Sequence, residues 1–227
     1  MSLLDTAGIN VLSELANSES SISSENPSWD VDLYQRYISV VDTLQKYSKA
    51  IGFSVGNEVV MNVYTVDAAA FVKPAVRDIK AYIKSKGYRS QLGVGYAHRD
   101  NNETDISTNM TNYFNCGDDT NTVDFWGYNV YSWWGKMNYE DSNYSRQTQE
   151  FASCSVTVFL SEYGCNRAGE VSSAANRPFI EVKALYGPEI SSIFSGGVAL
   201  EYFEEDSKVR EGIMVSLCFF FNVVIHF

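Results

Sequence analysis

The chain has 227 residues, 45% of them hydrophobic and 14% aromatic, which is enough for one packed domain or a large part of one. A formal charge of -11 argues against a nucleic-acid surface, since phosphate binding needs clustered Lys and Arg. Four cysteines without a C-x-x-C pair, and only two histidines, argue against a zinc site. From the N-terminus, MSLLDTAG reads as the end of a helix running into a strand, GINVLSEL, at 8–15. No basic segment precedes these apolar residues, so they do not read as a signal peptide. Residues 18–29 are polar and loop-like, punctuated by Asn26-Pro27. Residues 30–49 carry apolar groups at Leu33, Tyr37, Val40, Val41, Leu44 and Tyr47, a helical spacing with Asp30 as N-cap. IGFSVGN at 51–57 is a buried strand. Residues 66–86 form a second amphipathic helix, with Gly87 beyond its end. QLGVGY at 91–96 is the next strand, followed by a polar loop. Strand 123–133, helix 145–153, strand 156–163, helix 176–186 and strand 196–203 complete the order.

This alternation of short apolar strands with helices is the pattern of a parallel sheet covered by helices or closed into a barrel. No G-x-G-x-x-G follows the first strand, which weakens a dinucleotide-binding reading. Polar and aromatic residues collect at the strand ends: Asn57-Glu58, Tyr96, Asn129, Tyr131, Trp133, Glu162-Tyr163 and Tyr202. In a (β/α)8 barrel those ends build the active site. Six strands are countable here rather than eight. Three sequons, at Asn102, Asn109 and Asn143, suggest a secreted protein. His98 after QLGVGY reads as a loop or sugar-contacting residue rather than a metal ligand. Ser161 beside Glu162 has no G-x-S-x-G around it.

The carboxylates carry the chemistry. Glycoside hydrolysis and transglycosylation need one protonated carboxyl for the leaving group and one ionised carboxylate for the anomeric carbon or a water. Retaining enzymes hold the two about 5–5.5 Å apart. Glu58 ends the run FSVGN and Glu162 ends VFLS, three strand steps apart in the expected order. A lone glutamate after a strand often sits in a solvated loop or caps a helix. Here Asn57 adds an amide able to bind a sugar hydroxyl, and Tyr131 and Tyr163 add hydroxyls able to orient a nucleophile.

VGNEV at 55–59 and FLSEYGCN at 159–166 resemble the two catalytic-strand motifs of the fungal β-1,3-glucanosyltransferases of glycoside hydrolase family 72. LLDTAGINVLSEL, NPSWDVDLYQRYISVVDTLQKY, DAAAFVKPAVRDIKAYI, YFNCGD, DFWGYNVYSWWG and FSGGVALEYFEE agree in order and spacing, from about residue 2 to about residue 206. The resemblance implies an α/β (β/α)8 TIM barrel. It implies Glu58 as general acid/base, Glu162 as nucleophile, and Asn57, Tyr131 and Tyr202 as substrate-binding residues. It further implies a β-1,3-glucan donor and acceptor, no cofactor, no metal and no nucleic acid. The implied location is the outer face of the plasma membrane or the cell wall, held by a glycosylphosphatidylinositol anchor.

Departures from the family pattern set further expectations. The family's first two strands and signal peptide have no counterpart, so residues 1–206 are expected to supply strands three to eight of a partial barrel. Residues 207–227, ending in SLCFFFNVVIHF, are expected to be an aberrant tail outside the family pattern. Trp134 stands where the resemblance implies a cysteine, so Cys165 is expected to lack its usual partner, with Cys154 as the alternative, and Cys116 resembles a cysteine whose partner lies beyond residue 227. A plain β-glucan hydrolase, an inactive glucan-binding fragment and a sheet domain with structural glutamates remain open beside the transferase reading.

Overall fold

The computed structural model describes residues 1–101, 104–133, 135–164 and 179–200. Six strands lie in one sheet in chain order: β1 (Val11–Glu14), β2 (Ala50–Asn57), β3 (Gly93–Arg99), β4 (Phe125–Val130), β5 (Thr157–Tyr163) and β6 (Phe194–Ala199). Pairs β1–β2, β2–β3 and β5–β6 are parallel. Parallel neighbours need a crossover, and helices supply it. These are α2 (Val31–Leu44), α3 (Ala69–Ser85, entered through a 3-10 turn at Val66–Ala68), α4 (Thr104–Asn115), α5 (Tyr144–Phe151), α6 (Glu181–Leu185) and α7 (Pro188–Ser191), while α1 (Ser2–Thr6) leads into β1. The six expected strands and the βα alternation are therefore present. The tail at 207–227 lies outside the described residues.

The chain divides into two compact units, Met1–Trp126 and Gly127–Phe227, with β4 crossing the division. In the first unit, the Asp30 carboxylate accepts the Leu33 N–H at 3.0 Å and fixes the start of α2. Leu33, Tyr37 and Val41 then recur every fourth residue and are buried together. Helix α3 buries Val72, Ala75, Val76, Ile79 and Ile83, and Gly87 at φ 65 lets the chain turn away beyond it. Two glycines permit close strand and ring packing. A Cβ on Gly52 would lie 2.7 Å from the Gly93 carbonyl, and one on Gly95 would lie 2.4 Å from the Phe125 ring. The Asp124 carboxylate accepts from the Val94 N–H at 2.8 Å and pairs with Lys80 Nζ at 2.6 Å, tying α3 and β3 to the start of β4.

One sequence expectation fails in this unit. The polar loop expected after residue 96 is instead two elements: β3 runs on to Arg99, and α4 follows from Thr104. Helix α4 buries Ile106, Ser107, Thr111 and Phe114, a helical face made half of hydroxyls. Thr111 satisfies its hydroxyl by donating to the Ser107 carbonyl at 2.8 Å.

In the second unit, Val158, Phe159 and Leu160 bury the middle of β5. Phe151 of α5 packs on Tyr128 at 4.8 Å and on Phe194 at 5.7 Å between centroids. The helix expected over 176–186 is described only from Glu181 to Leu185, and Pro188 starts a second short helix at the position where its missing N–H costs nothing.

Candidate active site

The last residues of β2 are held from three sides. Leu15 N–H donates to the Ser54 carbonyl at 2.9 Å, Ser54 Oγ to the Gly56 carbonyl at 2.8 Å, and the buried Tyr37 hydroxyl to the Val55 carbonyl at 3.0 Å. Asn57 and Glu58 emerge half-buried from this fixed end. Asn57 borders a cavity of about 350 Å³ whose lining includes Glu14, Asn17, Ser21, Ser23 and Val59, a surface dominated by carboxylate, amide and hydroxyl groups. Glu58 has φ 53, in the left-handed region that glycine favours. Its N–H donates to the Ala97 carbonyl at 2.9 Å, and the Val60 N–H two residues on donates to the Tyr96 hydroxyl at 3.0 Å.

In the second unit, Glu162 lies near the end of β5, half-buried, and Tyr131 follows β4 with 36% of its surface exposed. The Tyr131 hydroxyl donates to Glu162 Oε2. One residue earlier in β5, Ser161 Oγ donates to Asn129 Oδ1 at 2.6 Å, and Asn129 is buried. The ends of β4 and β5 are thus linked twice by side chains. Tyr163 is buried, its ring packed so closely over Gly197 that a Cβ there would lie 2.8 Å from it. Tyr202 lies outside the described residues.

Sequence reasoning brought out Asn57, Glu58, Tyr131 and Glu162, and missed what surrounds them. Tyr96 stood out only as an aromatic at a strand end, and Ser161 only as a serine without a nucleophile motif. Their partners are 36 and 32 residues away, and no local spacing announces them. His98 differs from expectation. It is no loop residue but part of β3, with no exposed surface, beside Trp126 and Tyr96 at 5.7 and 6.2 Å. Burial pushes its pKa down to about 4, the Arg99 charge adding to the fall and Asp100 opposing it. Cys116 carries an exposed free thiol with Lys73 Nζ 3.2 Å from its sulfur. Among the described residues, no group of three or more His, Cys, Asp or Glu side chains could hold a metal ion.

The sequence model of the family described as glucanosyltransferase, glycoside hydrolase family 72, matches residues 1–215. The chain belongs to this family. A family-72 relative, a 1,3-beta-glucanosyltransferase of Arthroderma benhamiae, is 50% identical over 207 residues, 91% of this chain and 36% of that protein. The 1,3-beta-glucanosyltransferase gas1 of Schizosaccharomyces pombe is 44% identical over 208 residues, 92% of this chain and 37% of that protein. Among solved structures, Saccharomyces cerevisiae Gas2p in complex with laminaritriose and laminaritetraose matches with a TM-score of 0.83 at 39% identity, over 95% of this chain and 49% of that one. This family-72 chain therefore spans little more than a third of the length of those curated relatives. Six successive strands with their helices match part of the Gas2p fold.

Proposed function

We propose that this chain is part of the catalytic domain of a retaining β-1,3-glucanosyltransferase, which cleaves a β-1,3-glucan and passes the glycosyl unit to a second glucan. The observation that carries the reading is the glucanosyltransferase family match over residues 1–215. The laminaritriose and laminaritetraose bound by Gas2p, a relative, support oligosaccharides of this kind as ligands here.

In this proposal Glu58 protonates the glycosidic oxygen while Glu162 attacks the anomeric carbon. The C–O bond breaks, the fragment carrying the original reducing end departs with a new non-reducing-end hydroxyl, and a glycosyl–Glu162 ester remains. Glu58, now ionised, takes the proton from a hydroxyl at the non-reducing end of an acceptor glucan. That oxygen displaces Glu162, giving a longer chain with the original configuration. The hydrogen bond from Tyr131 to Glu162 supports the nucleophile role, since a fixed donor holds the carboxylate in one orientation for attack. The amide of Asn57, beside a polar cavity, supports a sugar-binding role for that residue. Tyr202 completes the proposed donor side by family resemblance. The same resemblance supports a lipid-anchored location at the outer face of the plasma membrane or in the wall.

The test is product analysis on a reduced laminari-oligosaccharide. Products longer than the substrate are expected, and both Glu58→Gln and Glu162→Gln should abolish them. Shorter products alone would establish a hydrolase, while glucan affinity without turnover, unchanged by Glu58→Gln, would establish a binding fragment.

A further inference from the structure

The turn that presents Glu58 is held against its own backbone preference. Glu58 is one of three non-glycine residues with positive φ among the described residues, and a glutamate lacks the short polar side chain that lets Asn or Asp bond locally in that conformation. Two hydrogen bonds of the turn lead to β3. The Glu58 N–H donates to the Ala97 carbonyl at 2.9 Å, and the Val60 N–H donates to the Tyr96 hydroxyl at 3.0 Å. The first is an ordinary backbone link, whereas the second depends on one side chain.

That side chain cannot drift. Tyr96 has no exposed surface, its ring stacks on Phe114 at 5.0 Å and 11°, and it meets Trp126 at 5.4 Å. Val59 and Val60 are buried beside it, at 5% and 0% exposure, so no water replaces the hydroxyl without a cavity opening. Gly56 lets the turn fold back on itself, since a Cβ there would lie 2.9 Å from Val59 Cγ2. Burial pushes the Tyr96 hydroxyl far above the ordinary tyrosine range. The Val60 and Val59 N–H groups oppose that shift, and the charge of Glu58 adds to it. The hydroxyl therefore stays neutral at every working pH.

We propose that Tyr96 is a positioning residue for Glu58: its hydroxyl fixes the 58–60 turn, and through it the direction in which the Glu58 carboxyl points. The inference rests on the reading of Glu58 as general acid/base. It predicts a defect confined to steps that need proton transfer.

The experiment uses the full chain and two donors. One is a laminari-oligosaccharide, whose leaving hydroxyl must be protonated. The other is a dinitrophenyl β-laminarioside, whose leaving group departs as the anion. Tyr96→Phe should lower kcat on the oligosaccharide about 10- to 100-fold with KM changed less than about twofold. Its burst of dinitrophenolate should keep a rate constant within about twofold of the parent, and the burst amplitude counts folded sites. Should Tyr96→Phe fold poorly, replacing Tyr96 by 3-fluorotyrosine keeps the ring, weakens the hydroxyl as an acceptor, and should give a smaller split of the same kind. Equal losses on both donors, or no loss on either, would overturn the proposal while leaving the role of Glu58 standing. A Glu58→Gln chain of undiminished activity would overturn that role, and the positioning proposal with it.

Discussion

A carboxylate that must attack an anomeric carbon works only within a narrow range of directions, and a single hydroxyl can set that direction. The Tyr131 hydroxyl donates to Glu162, the proposed nucleophile, from the adjacent strand end. Tyr131→Phe is expected to lower kcat for glucan transfer roughly 10- to 100-fold, with far-UV circular dichroism unchanged because the residue is 36% exposed. A loss of helical signal instead would show a structural role. At this scale the sequence was legible where chemistry sits next to itself: Asn57 beside Glu58, and Glu162 closing an apolar run. It was not legible where a side chain serves a distant partner. Tyr96 and Ser161 each act on a residue more than thirty positions away, and only the sheet brings those positions together.

Among the elements, β3 is the most constrained. Gly95 has the Phe125 ring and the Phe125 carbonyl 2.4 Å from where a Cβ would stand, so even a methyl group must displace the start of β4. Gly95→Ala is expected to destabilise the fold by about 1–3 kcal/mol, read as a shift in the urea midpoint with little change in slope. Asp30→Ala, which removes the cap of α2, should cost about 1 kcal/mol in the same measurement. Helices α2 and α3 were readable because large apolar residues repeat along one face. Helix α4 was not, because its buried face includes Ser107 and Thr111, and a polar residue that bonds its own helix looks in sequence like a loop residue. The strands were readable in number and order, though β3 hid its last residues because a buried His98 interrupts the apolar run.

The stability of the whole molecule carries the cost of burying His98. In the unfolded chain a histidine titrates near 6.5, and in the fold this one titrates near 4. Below pH 6.5 the unfolded state takes up a proton that the folded state refuses, so stability falls as pH drops from 6.5 toward 4. The loss approaches about 3 kcal/mol, and denaturant titrations from pH 7 to 4 should show it. A His98→Gln variant, if folded, should lose that slope; a slope that persists would assign it to other groups. At lower pH a second loss is expected. Backbone and side-chain donors hold Asp5 and Asp118 below the usual carboxylate range, so their contribution is present above about pH 4 and disappears as pH falls through their folded values.

The left-handed conformation of Glu58 works against the fold in another way. Glycine at position 58 would relieve a backbone penalty of about 1 kcal/mol, so Glu58→Gly should melt later than the parent while losing the proposed acid. A library panned for heat resistance alone would then enrich chains lacking this carboxyl. Selection for durability and selection for turnover pull in opposite directions at this one position, and a thermostabilised descendant of this chain would have to be screened for activity at every round.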